Sequence, residues 1–441
     1  MEYSKLERII LDQQEELEAL RAKRYCRRKE EALIDLNSNL AQVVIGVRRS
    51  GKSTLCINAL ERSKVHYAYV NFDDERLLSI TVDDMDAILE MLYKIYGDFS
   101  HLLLDEIQNV DGWHLFVNRM LRKQLHMVLT GSNSKLLSGE LASHLTGRHH
   151  QIELLPFSFA DFCAMRGVVT SPFTTKNRGL IASAFDDYMR QGGFPELNNE
   201  KDWKSYVDTL LDNIVRQDIQ KRFKIKYIDT LLHLTNHLLN EAPATIVKDT
   251  IQELFHFNSS HTVGNYLSYI EQTYLISLVS RYSAKSRMRT RNAKYYAIDV
   301  AFMNQRKDAF SGDNLGFRLE TIVYLELRRR AKYAHQDVYY FNTQRSECDF
   351  VVCDGNQTLA AYQVSYDITK PKTYNREING CITGAKGTNC ENLYLLTYND
   401  SREPIVKDGH TIKIMPVWEW LLTECPPFRL INITGKSVFK D

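Results

Sequence analysis

The stretch Gly46-Val47-Arg48-Arg49-Ser50-Gly51-Lys52-Ser53-Thr54 decides how the rest of the chain is read. An apolar run, Val43-Val44-Ile45, precedes it and reads as a buried strand, and Leu55–Leu60 follows and reads as a helix. The spacing G-x-x-x-x-G-K-[ST] between a strand and a helix is that of a phosphate-cradling loop. Its glycines let the backbone curl round an anion, so that amide N–H groups and the positive end of the next helix face it. Gly46, Arg48, Arg49, Ser50, Gly51, Lys52, Ser53 and Thr54 are thus candidate ATP-binding residues. Lys52 would reach the β/γ-phosphate oxygens, and the Ser53 hydroxyl would ligate Mg²⁺. Arg48 and Arg49 either touch phosphate or brace the loop.

The chain around this loop has 441 residues, too many for one hydrophobic core, so several domains are expected. Its 56 Lys plus Arg nearly cancel 55 Asp plus Glu, leaving +1, so any nucleic-acid contact must come from a local patch. The eight cysteines are scattered with no C-x-x-C pair. That argues against a zinc ribbon or a secreted disulfide framework and suits a reducing cytoplasm. The N-terminus is charged rather than signal-like, and no apolar run approaches the ~20 residues of a membrane span. A cytoplasmic protein with no membrane partner is the expectation.

Residues 1–34 form a helical segment in which Leu6, Ile10, Leu17 and Leu20 make a seam around polar Gln13, and it is expected to brace the next domain. That domain, 35–225, holds apolar strands alternating with helices, the pattern of a parallel sheet covered on both faces. Val65–Phe72 is one strand. His101–Leu104 is another and delivers Asp105 and Glu106 at its C-terminal end. Met127–Thr130 ends in Gly131-Ser132-Asn133, and Gln151–Leu155 closes the sheet. Ligands of such sheets bind beyond the C-terminal strand edge, where these polar tips collect. Asp105 is the candidate for the Mg²⁺ shell, and Glu106 for orienting or deprotonating the attacking water. Ser132 and Asn133 are candidates for contact with the γ-phosphate or that water. Arg148 is a candidate for charge compensation in the transition state, within the chain or at a neighbour's site, with a surface salt bridge as the alternative.

The strings Gly46–Thr54, Leu104-Asp105-Glu106-Ile107-Gln108 with Trp113, Leu129-Thr130-Gly131-Ser132-Asn133, Thr146-Gly147-Arg148 and Leu155-Pro156-Phe157-Ser158-Phe159 carry a resemblance. Together they resemble a bacterial and archaeal family of AAA-like ATPases whose C-terminal domain is similar to restriction endonucleases. The resemblance covers nearly the whole chain. It implies an additional-strand P-loop ATPase with Glu106 as the catalytic acid, and leaves open what ATP hydrolysis drives.

Beyond a helical extension ending near 225, residues 226–305 read as three helices and a hairpin, a winged-helix-like domain that the resemblance also supports. The hairpin strands are expected at Leu275–Tyr282 and Tyr295–Ile298. Between and beside them stand Arg281, Lys285, Arg287, Arg289, Arg291 and Lys294 with no acidic residue. Such a wing could neutralise DNA phosphates. The third helix offers His261, Asn265, Ser268, Glu271 and Gln272 but no Lys or Arg, which speaks against base reading in the major groove. Contact with a protein partner stays open beside DNA.

The last domain, 306–441, carries Glu320 on a helix, then the strands Glu347–Val352 and Ala360–Ser365. Matched to a restriction-endonuclease-like metal site, Glu320, Asp349 and Gln363 take the metal positions and Ser365 the lysine position. Gln363 is neutral and Ser365 supplies no cation, so the expectation is a degenerate domain used for binding or assembly. Lys370 or Lys372 is the alternative source of that cation, though both flank Pro371 in an expected loop, and Trp418 and Trp420 are expected in the core. The whole reads as an α/β protein: a P-loop NTPase parallel sheet with flanking helices, a winged-helix-like module and a restriction-endonuclease-like domain. The expected activity is Mg²⁺-dependent ATP hydrolysis that rearranges the C-terminal modules, in association with DNA. A regulatory ATPase acting on a protein, and an ATP-dependent nuclease, are the alternatives. A homo-oligomer follows if Arg148 serves a neighbour.

Overall fold

Five short segments near the N-terminus, four of them apolar and almost wholly buried, form a parallel sheet. In the computed structural model, which describes residues 2–23, 25–132, 145, 147–283, 293–304 and 314–423, they are β1 (Ala41–Ile45), β2 (Tyr67–Asn71), β3 (His101–Asp105), β4 (His126–Gly131) and β5 (His149–Glu153). The sheet order is β2-β3-β4-β1-β5 with every pair parallel, so β4 is inserted between β1 and β3. Ile45 lies level with Gly131 and Glu153, and Asn71 with Asp105. The phosphate-loop glycines and the Asp105–Glu106 pair therefore leave the sheet at one edge.

The helix Tyr3–Arg21 buries Leu6, Ile9, Ile10, Gln13 and Leu17. Gln13 explains the polar break in the seam. Its amide donates to Asn71 O and Asp74 Oδ2, both at 3.0 Å, while its Oε1 accepts the Asn71 N–H at 2.9 Å. The side chain thus acts as a peptide unit against edge strand β2, whose backbone would otherwise lack a partner. The helix expected to run on to residue 34 stops at Arg21, and a short 3-10 turn, Lys29–Leu33, follows. The interruption brings Arg28 inward, where it is 5% exposed.

The contacts divide the chain after Leu155 rather than at 225, and residues 156–441 pack as one compact unit. Helices Ile228–Glu241, Lys248–Leu254 and Ser260–Gln272 are followed by the hairpin β7 (Ile276–Val279) and β8 (Lys294–Ala297). A two-residue strand, β6 (Ala244–Thr245), which the sequence did not signal, pairs with β8 to complete a sheet ordered β6-β8-β7. The larger sheet has six strands: β9 (Asp337–Asn342), β10 (Glu347–Asp354), β11 (Gln357–Ser365), β12 (Leu393–Thr397), β13 (Arg402–Lys407) and β14 (His410–Pro416), in the order β13-β14-β12-β11-β10-β9. The two sheets are joined by main chain, since Tyr282 N donates to Tyr340 O at 2.7 Å and Tyr340 N to Ser280 O at 3.2 Å. The segments expected as separate modules at 226–305 and 306–441 are therefore continuous in hydrogen bonding.

Pro371 begins a helix, Pro371–Thr388, rather than lying in the expected loop; proline suits a first helical position because its missing N–H would be unpaired there anyway. That helix seats closely on the sheet at Gly384, where a Cβ would come within 2.6 Å of Cys348 Sγ. Trp418 and Trp420 are buried, and Arg330 lies 4.5 Å from the Trp420 ring centroid. No helix among the described residues is long and apolar enough to cross a membrane.

Candidate active site

The loop after β1 enters helix Lys52–Arg62 through Gly51, whose φ is 93°. At Gly46, with φ 149°, a Cβ would lie 2.1 Å from Leu154 O, so only glycine lets the loop leave the sheet this close to the segment after β5. Lys52 is buried at the helix start, its Nζ donating to Val47 O at 3.3 Å and lying 3.5 Å from Glu106 Oε1. The Ser53 hydroxyl donates to Asp105 Oδ1 at 2.8 Å. Thr130 donates to that same oxygen, and Tyr69 to Asp105 Oδ2 at 3.3 Å.

Glu106 has a left-handed backbone, φ 50°, held by its N–H donating to Thr130 Oγ1 at 2.9 Å. Its Oε2 accepts the Ser132 N–H at 3.2 Å and the Gln108 side-chain amide, which also reaches Ser132 Oγ at 3.3 Å. Burial works to raise the Glu106 carboxyl, but Lys52 and these hydrogen bonds outweigh it and hold it below its usual range. Asp105 goes the other way: burial first, then the neighbouring Glu106 charge, raise it. The two adjacent carboxyls are therefore pushed apart by their surroundings.

The residues fit a nucleotide. Ser50 Oγ is buried without a hydrogen-bond partner among the described residues, and Lys52 is held by a carbonyl and a carboxylate that a phosphate could replace. Ser53 and Asp105 fit a hard cation, being paired oxygen donors at the loop–strand edge. Arg48 pairs with Asp73 at 3.1 Å, and Arg49 has φ 68° in the loop. Asn133 lies outside the described residues.

Arg148 is placed differently from the rest. Its carbonyl accepts the Ala41 N–H at 3.0 Å, and Ala41 pairs with His149 at the start of both strands. That is the N-terminal edge of the sheet, a strand length of roughly 15 Å from the phosphate loop at ~3.3 Å per residue. The reading in which Arg148 acts on its own chain's site is corrected by this register: the side chain is exposed at the opposite edge.

Several contributors escaped the sequence reading. Thr130 and Gln108 stand within the motifs around Ser132 and Glu106, but only the fold shows that they grip the carboxylates. Arg28 gave no signal within a charged run that looks solvated. Its Nη1 donates to Ser50 O at 3.3 Å and Leu155 O at 3.0 Å, and its Nη2 pairs with Glu30 at 3.3 Å. It braces the phosphate loop from behind.

In the C-terminal unit, Lys285, Arg287, Arg289 and Arg291 lie outside the described residues. The two flanking bases do not belong to an exposed wing. Arg281 donates to Asn342 O at 2.6 Å, and the side chain of Lys294 is 12% exposed among carboxylates. Glu320, on helix Leu315–Tyr333, comes together with Asp349 and Gln363 as the sequence matched them. Gln363 is committed, donating to Glu377 Oε2 at 2.9 Å and accepting from Asp349 N at 3.4 Å. Ser365 donates to Asp367 O at 3.3 Å. Among the described residues no group of three His, Cys, Asp or Glu could hold a metal ion. Gln363 and Ser365 bring no charge to the cluster, and both are engaged within the protein.

The inserted-strand sheet, the glycine loop and the Asp105–Glu106 pair define an AAA-type P-loop ATPase domain. An AAA-domain family profile matches residues 38–163, and two domains of unknown function match 182–312 and 315–420. An uncharacterised protein of Methanocaldococcus jannaschii is 33% identical over 404 residues, covering 88% of this chain and 90% of its own. A Haemophilus influenzae protein is 28% identical over 348 residues, 75% of this chain and 84% of its own. Among solved structures, the Walker-type ATPase of Pyrococcus abyssi aligns with a TM-score of 0.41 at 13% identity, over 65% of this chain and 99% of its own. The Holliday junction branch migration motor RuvB of Thermotoga maritima aligns with a TM-score of 0.26 at 17% identity, over 55% and 82%. The chain belongs to one family with the archaeal protein, and its matched nucleotide domain makes this an AAA-like ATPase family.

Proposed function

We propose that the chain hydrolyses ATP at the Gly46–Thr54 loop and that nucleotide state rearranges the C-terminal unit. The observation that carries this is the Lys52–Glu106 contact with Glu106 held at the same time by Ser132 and Gln108. An arriving phosphate would take Lys52 and the buried Ser50 hydroxyl, freeing Glu106 to orient and deprotonate water. Ser53 and Asp105 would hold Mg²⁺, which neutralises phosphate charge when bound. Lys52→Ala should abolish nucleotide binding, while Glu106→Gln should bind ATP and turn it over slowly. Equal turnover by Glu106→Gln and the parent would remove this mechanism.

Arg148 on the far sheet edge supports a homo-oligomer in which it completes a neighbour's site. Mass measurement with and without ATP tests this, with Arg148→Ala expected to lose turnover but keep ATP binding. Association with DNA is supported by the helix–strand–helix–helix–strand–strand order of 228–297, that of a winged helix, with Lys285, Arg287, Arg289 and Arg291 between its last strands. DNA affinity should then fall steeply with salt and be lost on neutralising Arg287, Arg289 and Arg291. If those changes leave partner binding and ATP turnover intact, the partner is a protein.

A further inference from the structure

The position where a metal nuclease carries its lysine holds Ser365, yet the carboxylates are not left without a cation. Lys294, the first residue of β8, reaches in from the smaller sheet. Its Nζ lies 3.7 Å from Glu320 Oε1 and is hydrogen-bonded to Glu347 Oε1. Glu320 Oε1 also accepts the Tyr296 hydroxyl at 2.8 Å, and Asp349 Oδ2 accepts the Val364 N–H at 2.8 Å. With Gln363 tied to Glu377, each of the expected metal donors has an internal partner. The cluster is not crowded shut, because a cavity of about 630 Å³ opens beside Glu320, Glu347, Asp349 and Gln363. What excludes a dication is charge: an ammonium within 4 Å of Glu320 competes for its oxygens and repels a second cation. Lys294 cannot leave by a backbone shift alone, since β8 is paired with β6 on one side and β7 on the other.

We propose that Lys294 is a built-in replacement for a divalent cation, which closes this carboxylate cluster to metal in the native chain and ties the smaller sheet to the larger. Removing the ammonium should therefore create a divalent-ion site from Glu320 and Asp349. The measurement is Mn²⁺ uptake by the full, nucleotide-free chain, read by the resonance of free Mn²⁺, together with melting curves with and without Mn²⁺. Parent, Glu320→Gln and Asp349→Asn should take up the same Mn²⁺, because any contribution from the phosphate loop is common to all three. Lys294→Met should gain a further Mn²⁺ site and be stabilised by the ion, and Lys294→Met/Glu320→Gln should lose both effects. Lys294→Arg, which keeps the charge, should gain nothing. Lower uptake by Glu320→Gln or Asp349→Asn than by the parent overturns the proposal, and that comparison decides it even where Lys294→Met does not fold. A native-like Lys294→Met that gains no Mn²⁺ overturns it as well.

Discussion

The molecule holds two places where a lysine ammonium lies among strand-end carboxylates, and they are built to opposite ends. At the phosphate loop, Lys52 stands at a helix N-terminus behind a glycine turn, beside a buried hydroxyl with no partner among the described residues. Its own partners, Val47 O and Glu106, are ones an anion could displace. In the C-terminal unit Lys294 stands on a strand paired on both sides, and its carboxylates are further held by Tyr296 and a backbone amide. Burial opposes the charge on Lys294, but Glu320, Asp349 and Glu347 outweigh it and hold the ammonium well above its usual range. The ion pair alone says nothing about chemistry. What matters is whether the surroundings supply groups, such as free amides and a helix terminus, that a ligand would satisfy better than the resident partner does.

The comparison breaks most visibly in turnover. Glu106→Gln should lower the ATPase rate by ~10²–10⁴-fold in a steady-state assay, the range for losing a general base, while retaining ATP binding. Stability should divide the two lysines the other way. Lys294→Met takes the cation from Glu320, whose side chain is 14% exposed, and should cost about 3 kcal/mol in urea unfolding. Lys52→Met should cost less, because the Ser132 N–H and the Gln108 amide still hold Glu106. Equal losses for both variants would erase the distinction. Arg28→Ala tests whether the open site needs a brace behind it: it removes the donor to two carbonyls and a cation beside Glu30, so a loss of about 3 kcal/mol is expected, with weakened ATP affinity.

The last effect is one of pH and concerns Asp299, a carboxylate held by amides instead of an ammonium. Gly193 N and Ala301 N each donate to it at 2.8 Å, yet burial outweighs them and raises it to about 6. A carboxyl raised on folding binds its proton more tightly in the native state. Its effect is absent below the unfolded value of 3.8, costs stability as the pH rises to about 6, and is constant above that. The full cost is about 3 kcal/mol at ~1.4 kcal/mol per pH unit. Unfolding of Asp299→Asn followed between pH 4 and 7 should lack this slope.

Much of the nucleotide domain was legible because its chemistry is local. Gly46 to Thr54 are contiguous, and Asp105 and Glu106 end an apolar run whose burial on both faces follows from composition. Gln13 was visible as a break in a seam, but its pairing with Asn71 was not, because it joins residues 58 positions apart. The same limit hid Arg28 and Thr130.

By itself the sequence determined the phosphate loop, the carboxylate pair and a parallel sheet of apolar strands. Each is a matter of residue type at short spacing, which period and turn chemistry reveal. Only the tertiary structure decided that Arg148 stands on the edge away from its own loop. It also joined the expected C-terminal modules into one unit and seated Lys294 between Glu320 and Glu347. These depend on strand register and on side chains meeting across long stretches of chain, and a linear pattern carries no term for either.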